Sequence, residues 1–168
     1  VPMKYHIEKN TIQETLVIPL YARALCTRQF PHLFSDPLSV ELLEQLDYDF
    51  SALERASGSL TQTFGAMEAA MRQSDLAWEV RDYLADHPQA AVVNLGCGLD
   101  QTGRSCDNGQ CRLYNIDLPD VMAVREALLP AGEREKNLTA DLNDLSWFDA
   151  IDTPLEDGAV FFAAGVFY

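Results

Sequence analysis

With 168 residues, 48% of them apolar, the chain has room for one domain with a real core. Its 26 acidic residues outnumber the 12 Lys and Arg, leaving a formal net charge of -14 that repels phosphate backbones and anionic lipid. Nucleic-acid and membrane partners are therefore not expected, and no apolar run approaches the ~20 residues of a membrane span.

The opening "VPMKYHIEKN" carries charge without a hydrophobic core, so no signal peptide and a cytoplasmic location are expected. Residues 1–88 read as a helical N-terminal cap or arm. In "SDPLSVELLEQLD", Ser35 or Asp36 is the candidate N-cap, and Pro37 stands in the first turn, where its missing N–H costs nothing. Leu38, Leu42, Leu43 and Leu46 follow as an apolar stripe. A longer helix is expected across "GAMEAAMRQSDLAWEVRDYLADHP", with Leu76, Val80, Tyr83 and Leu84 on one face and Pro88 closing it.

From residue 89 the pattern changes to short apolar runs. "AAVVNLG", "CRLYNIDL", "KNLTADL" and "AVFFAAGVFY" read as four strands, with a helix over "PDVMAVREALLP" and only a stub of helix in "LDQTGRSCDNGQ". Continuous apolar strands alternating with helices predict a parallel α/β sheet covered on both faces, with right-handed crossovers. The last apolar run reaches the final residue. The expectation is a sheet truncated after its fourth strand, whose open apolar edge offers a surface for a homodimer. Cys26, Cys97, Cys106 and Cys111 are scattered, lacking the second pair or neighbouring His of a zinc site. They are expected as free, mostly buried thiols with no metal.

Three features bear on function. In "VVNLGCGLD" the first strand runs into a Gly-x-Gly turn, where Gly96 and Gly98 let a ligand approach the backbone; a plain strand-ending turn would use the same residues. Asp117 ends the second strand about 20 residues on, where an acid accepts ribose hydroxyls in nucleotide-binding folds; the alternative is a solvated cap ahead of Pro119. In "ADLND", beyond the third strand, an acid could accept an adenine amine, although Asp141 or Asp144 would also serve as a helix cap. A dinucleotide fingerprint needs Gly where Gln101 stands, which disfavours a nicotinamide-dependent oxidoreductase.

"IPLYARA" with "DP" beyond it, "VVNLGCGLD", "YNIDLPDVMAVREALLP" and "DLNDLSWFD" together resemble the leucine carboxyl methyltransferase superfamily, nearest its bacterial branch of tetracenomycin-type polyketide O-methyltransferases. The resemblance implies a Rossmann-like class I methyltransferase sheet, here partial over residues 89–168, that binds S-adenosyl-L-methionine. It implies that Gly96 and Gly98 lie against the methionine part, that Asp117 holds the ribose, and that Asp141 and Leu142 flank the adenine. It further implies that Arg72, on the helix before the first strand, grips the cofactor carboxylate, with Arg23 of "YARA" completing that grip. A buried carboxylate calls for such a forked, charge-assisted partner; a snorkelling surface side chain is the alternative for both arginines.

Two departures stand out. Family members read "GLDTR" where this chain has "GLDQTGR", displacing Arg104, and they carry an acid in the pair occupied here by Ala164 and Gly165. The family's chains also continue for roughly another 100 residues of sheet and substrate cover. The implied reaction is methyl transfer to oxygen of a small molecule. None of the three His lies in the strand-end motifs, and Tyr5 and Tyr168 read as packing. With no base in view, a carboxylate acceptor is favoured, since it is already ionised at neutral pH. A non-catalytic S-adenosylmethionine-binding module is the alternative.

Overall fold

The computed structural model describes residues 3–164 and 166, and the chain divides into two compact units, Val1–Ser74 and Asp75–Tyr168. The sequence pattern put the boundary at residue 88. It falls earlier, within one continuous helix, because Ala77, Val80 and Leu84 bury themselves in the core of the second unit.

In the first unit a short strand β1 (Tyr5–His6) precedes a 3-10 turn over Ile12–Leu16 and helix α1 (Val17–Gln29). Helix α2 (Pro37–Gln45) follows, capped by Asp36, whose Oδ1 accepts the Ser39 N–H at 3.1 Å. Leu42, Leu43 and Leu46 of the expected stripe are buried, together with Ile7, Val17, Leu20 and Ala24. One feature departs from an all-helical reading. Strand β2 (Leu46–Asp47) pairs in parallel with β1, Tyr5 opposite Leu46. Two residues per strand are too few to show alternation in sequence. Helix α3 (Ser51–Ala56) leads into α4 (Leu60–Asp86), which starts before the expected "GAMEAA".

The second unit is built on four parallel strands, β3 (Ala91–Leu95), β4 (Arg112–Asp117), β5 (Glu135–Thr139) and β6 (Ala159–Ala163), in spatial order β5-β4-β3-β6. Between β3 and β4 lies the short helix α5 (Thr102–Ser105), and between β4 and β5 helix α6 (Pro119–Leu128). This is the half of a doubly wound sheet in which the chain passes from one edge, β5, to the far side of the first strand, β6. The carboxyl ends of β3 and β6 therefore mark a topological switch point, where such sheets bind their ligands.

Both faces of the sheet are covered, as the continuous apolar strands predict. Alternation puts Val92 and Leu113 against Ala77, Val80, Leu84, Cys106 and Cys111 on one side. It puts Val93, Tyr114 and Ile116 against Trp147 on the other, where a 3-10 helix over Leu145–Ala150 crosses. All four cysteines are free and buried. No helix among the described residues is long and apolar enough to cross a membrane.

Candidate functional site

The Gly-x-Gly turn sits at the carboxyl end of β3. Gly96 has φ +63° and Gly98 φ +48°, left-handed conformations in which a side chain would be strained. A Cβ at Gly96 would also collide with the Val166 side chain, so the bare backbone there admits a close neighbour. The turn is tied to the sheet by its own peptide groups: the Cys97 N–H donates to Ile116 O at 3.1 Å, and the Asp100 N–H to Cys97 O at 2.8 Å. Asp100 locks the exit. Its Oδ2 accepts from Asn94 Nδ2 at 2.8 Å and from the Thr102 N–H at 3.2 Å, and its Oδ1 accepts from Thr102 Oγ1 at 2.9 Å.

Asp117, the last residue of β4, meets this turn directly. Its Oδ2 accepts the Gly98 N–H at 2.8 Å and its Oδ1 the Leu118 N–H at 2.8 Å. A carboxylate oxygen has two acceptor sites, so each of these bonds leaves capacity for a ligand hydroxyl. Asp117 is half-buried and sits in the row of the sheet next to the turn. The cap alternative holds only for one oxygen, through Leu118; the other belongs to the glycine turn.

Beyond β5, Asp141 and Asp144 divide the work that the sequence left open between them. Asp144 caps the 3-10 helix, its Oδ1 accepting the Ser146 N–H at 3.0 Å, and this bond holds its carboxyl below the usual range. Asp141 is exposed and accepts from the Asn143 N–H at 2.9 Å and from Asn143 Nδ2 at 2.8 Å. Leu142 is half-buried and packs on the core around Trp147, so it presents an apolar surface beside Asp141.

The two arginines belong to the first unit, whereas the turn belongs to the second. Arg23 is buried on α1, 6% exposed, and its Nε donates to Asp36 Oδ2 at 3.2 Å. It is therefore not a snorkelling surface residue but a partner of the α2 cap. Arg72 is exposed on α4. Ala164 forms a bend just after β6, while Gly165 and Tyr168 lie outside the described residues.

The residues that sequence reasoning missed lie beneath the turn. Arg125 of α6 is fully buried, and its Nη1 donates to Gly98 O at 2.9 Å and to Asp100 O at 2.7 Å. Its Nη2 lies 3.7 Å from Glu135 Oε1. Glu135 is itself buried and accepts from Arg104 Nε at 2.9 and 3.0 Å, from Asn115 Nδ2 at 2.7 Å and from the Gly132 N–H at 3.1 Å. The displaced Arg104 is thus a structural ion-pair partner that also donates to Leu129 O and Pro130 O behind α6. The available signal was an Arg at a position of α6 that otherwise carries Val121, Met122 and Val124 inward. Cys97, within the turn, is inert: burial pushes its thiol up to about 12, with Arg125 only partly opposing the shift.

The acceptor sites left on Asp117 suit a ligand that donates hydroxyl groups to it. The Nε2 of Gln101, at the start of α5, is buried without a hydrogen-bond partner among the described residues, an orphaned donor beside the same turn. The leucine carboxyl methyltransferase family model matches residues 17–167. The tetracenomycin polyketide synthesis O-methyltransferase TcmP of Streptomyces glaucescens is 34% identical over 147 residues, 86% of this chain and 52% of that protein. The chain spans about half the length of this curated relative.

Proposed function

The chain belongs to the leucine carboxyl methyltransferase family, and from that premise we propose that it carries the S-adenosyl-L-methionine site of an O-methyltransferase acting on a small molecule, with a carboxylate as acceptor. The observation that carries the reading is the 2.8 Å bond between the Gly98 N–H and Asp117. It brings the glycine turn and Asp117, the acid proposed for the ribose, together at the carboxyl ends of the strands, which supports the reading.

Gly96 and Gly98 would bring bare backbone against the methionine part of the cofactor. Asp117 would accept the ribose hydroxyls with the acceptor sites that Gly98 and Leu118 leave. Leu142 and Asp141 would border the adenine, the one by apolar contact and the other by accepting the exocyclic amine. The bound cofactor supplies an electrophilic methyl group on a sulfonium sulfur. The protein's part is then alignment and exclusion of water, a positioning effect worth ~7–11 kcal/mol in favourable cases. A carboxylate acceptor needs no general base. That suits a site whose nearest thiol, Cys97, stays protonated at neutral pH.

Calorimetric titration of S-adenosylhomocysteine into the parent chain and into Asp117→Ala tests the reading. Binding to the parent that weakens at least tenfold in the variant, about 1.4 kcal/mol, is expected. No binding by a well-folded parent removes the cofactor assignment from this chain. NAD in the same titration is expected to give no heat, because Gln101 stands where the dinucleotide fingerprint requires Gly.

A further inference from the structure

We propose that Arg125 is a positioning residue for the glycine turn, one that sets the direction of the turn's N–H groups before any ligand arrives. The inference deepens the cofactor reading above and rests on it for the identity of the ligand.

A trans peptide unit is planar, so its C=O and the N–H of the next residue point in opposite directions. Arg125 Nη1 draws Gly98 O and Asp100 O down toward α6, at 2.9 and 2.7 Å. The N–H groups sharing those two peptide planes, on Leu99 and Gln101, are turned the other way, away from α6. One guanidinium nitrogen therefore orients two peptide dipoles in the turn. Gln101, at the second of these planes, also carries a buried side-chain Nε2 with no hydrogen-bond partner among the described residues. The donors at this end of the turn are thus held in place from beneath, and one of them, Gln101 Nε2, has no acceptor among the described residues.

The fixing is strong because Arg125 cannot move. It is fully buried, and its other terminal nitrogen faces Glu135, which Arg104, Asn115 and Gly132 hold in turn. The turn contains two left-handed glycines, Gly96 and Gly98, whose backbone is permissive. An anchor beneath such a turn lowers the conformational cost of binding by ordering it in advance.

The test compares Arg125→Met with Arg104→Met. Arg104 shares Glu135 with Arg125, but its side chain donates to Glu135, Leu129 and Pro130, none of them in the turn. Two readouts are used on the full 168-residue chain: native-state amide hydrogen exchange of residues 96–101 without ligand, and affinity for S-adenosylhomocysteine. Arg125→Met is expected to speed exchange at Leu99 and Gln101 at least tenfold and to weaken binding at least tenfold. Arg104→Met is expected to lower thermal stability while leaving both readouts within about twofold of the parent. Arg125→Lys keeps the buried charge without the fork and is expected to fall between parent and Arg125→Met; it carries the same test should the Met variant not fold. Equal loosening of the turn by Arg104→Met reduces Arg125 to a general core residue and overturns the inference. Unchanged binding by Arg125→Met overturns it as well, with the cofactor reading intact. A parent that binds no S-adenosylhomocysteine overturns the cofactor reading instead, and the exchange data still decide whether Arg125 holds the turn.

Discussion

The two faces of the four-stranded sheet are built on opposite principles. On one, Val93, Tyr114, Ile116 and Trp147 form an apolar cluster, with the exposed Lys136 at its margin, 6.0 Å from the Tyr114 ring. On the other, the row of Val92 and Leu113 gives way to Asn94, Asn115 and Asn137, which are register partners across β3, β4 and β5. Asn115 Nδ2 donates to Asn137 Oδ1 at 3.1 Å and to Glu135, while Asn94 reaches Asp100. Burying polar groups is costly unless they are paired, so a polar row inside a sheet signals work other than cohesion. Here Asn94 leads to Asp100 of the glycine turn, and Asn115 leads through Glu135 to the Arg that holds the turn. The apolar face supplies stability, whereas the polar face supplies geometry.

The largest expected effect breaks the polar face at its centre. Glu135→Ala leaves Arg125 buried without its counter-charge, and removing one partner of a buried ion pair destabilises by about 3–5 kcal/mol. Denaturant unfolding measures it, and a loss below about 1 kcal/mol would mean that water already compensates Arg125. Adjacent residues of β4 then sharpen the contrast. Asn115→Leu, facing the polar side, strands acceptors on Glu135 and Asn137 and should cost about 1–3 kcal/mol. Ile116→Val, one residue on and facing the apolar side, removes one methyl group and should cost about 0.5–1.5 kcal/mol. A reversed order would mean that the amide pairs of the polar face add less to the cohesion of the unit than a single methyl group on the apolar face.

This difference between the faces also decides what could be read from the sequence. The four strands, the helix after Pro119 and the stub of helix in "LDQTGRSCDNGQ" were legible, because period and punctuation are local properties. The pairing of the glycine turn with Asp117 was legible through a motif whose two halves lie on adjacent parallel strands. The Arg125–Glu135 connection was not. Its members stand on α6 and β5 with no fixed spacing between them, and only the folded register brings them together. The Asn row was hidden for the same reason: each Asn is a single polar residue within an apolar run, and it forms a row only when three strands align. The early domain division at Ser74 escaped because one helix, continuous in pattern, gives its second half to a different core.

The smallest expected effect lies at the rim of the polar face, where water reaches the pairs. Arg134 Nη2 contacts both carboxylate oxygens of Asp107, at 2.6 and 2.7 Å, and Asp107 also accepts the Gly109 N–H at 2.9 Å. Partial burial acts to raise the Asp107 carboxyl, but the Arg134 pair and the Gly109 N–H outweigh it and leave the group below its ordinary value of 3.8. A carboxyl whose value is depressed by folding stabilises the folded state above the unfolded-state value, and that contribution is lost as pH falls through the folded-state value. Asp107→Asn should therefore lower the unfolding midpoint slightly at neutral pH, by less than any of the substitutions inside the sheet. As pH falls below the ordinary carboxyl value and through the folded-state value of Asp107, the gap between the two proteins should narrow. A gap that stays constant with pH would mean that the Asp107 charge contributes nothing and that only its hydrogen bonds to the loop matter. The rim would then differ from the buried Glu135 pairs in kind and not only in exposure, since those draw their strength from charge that water cannot screen.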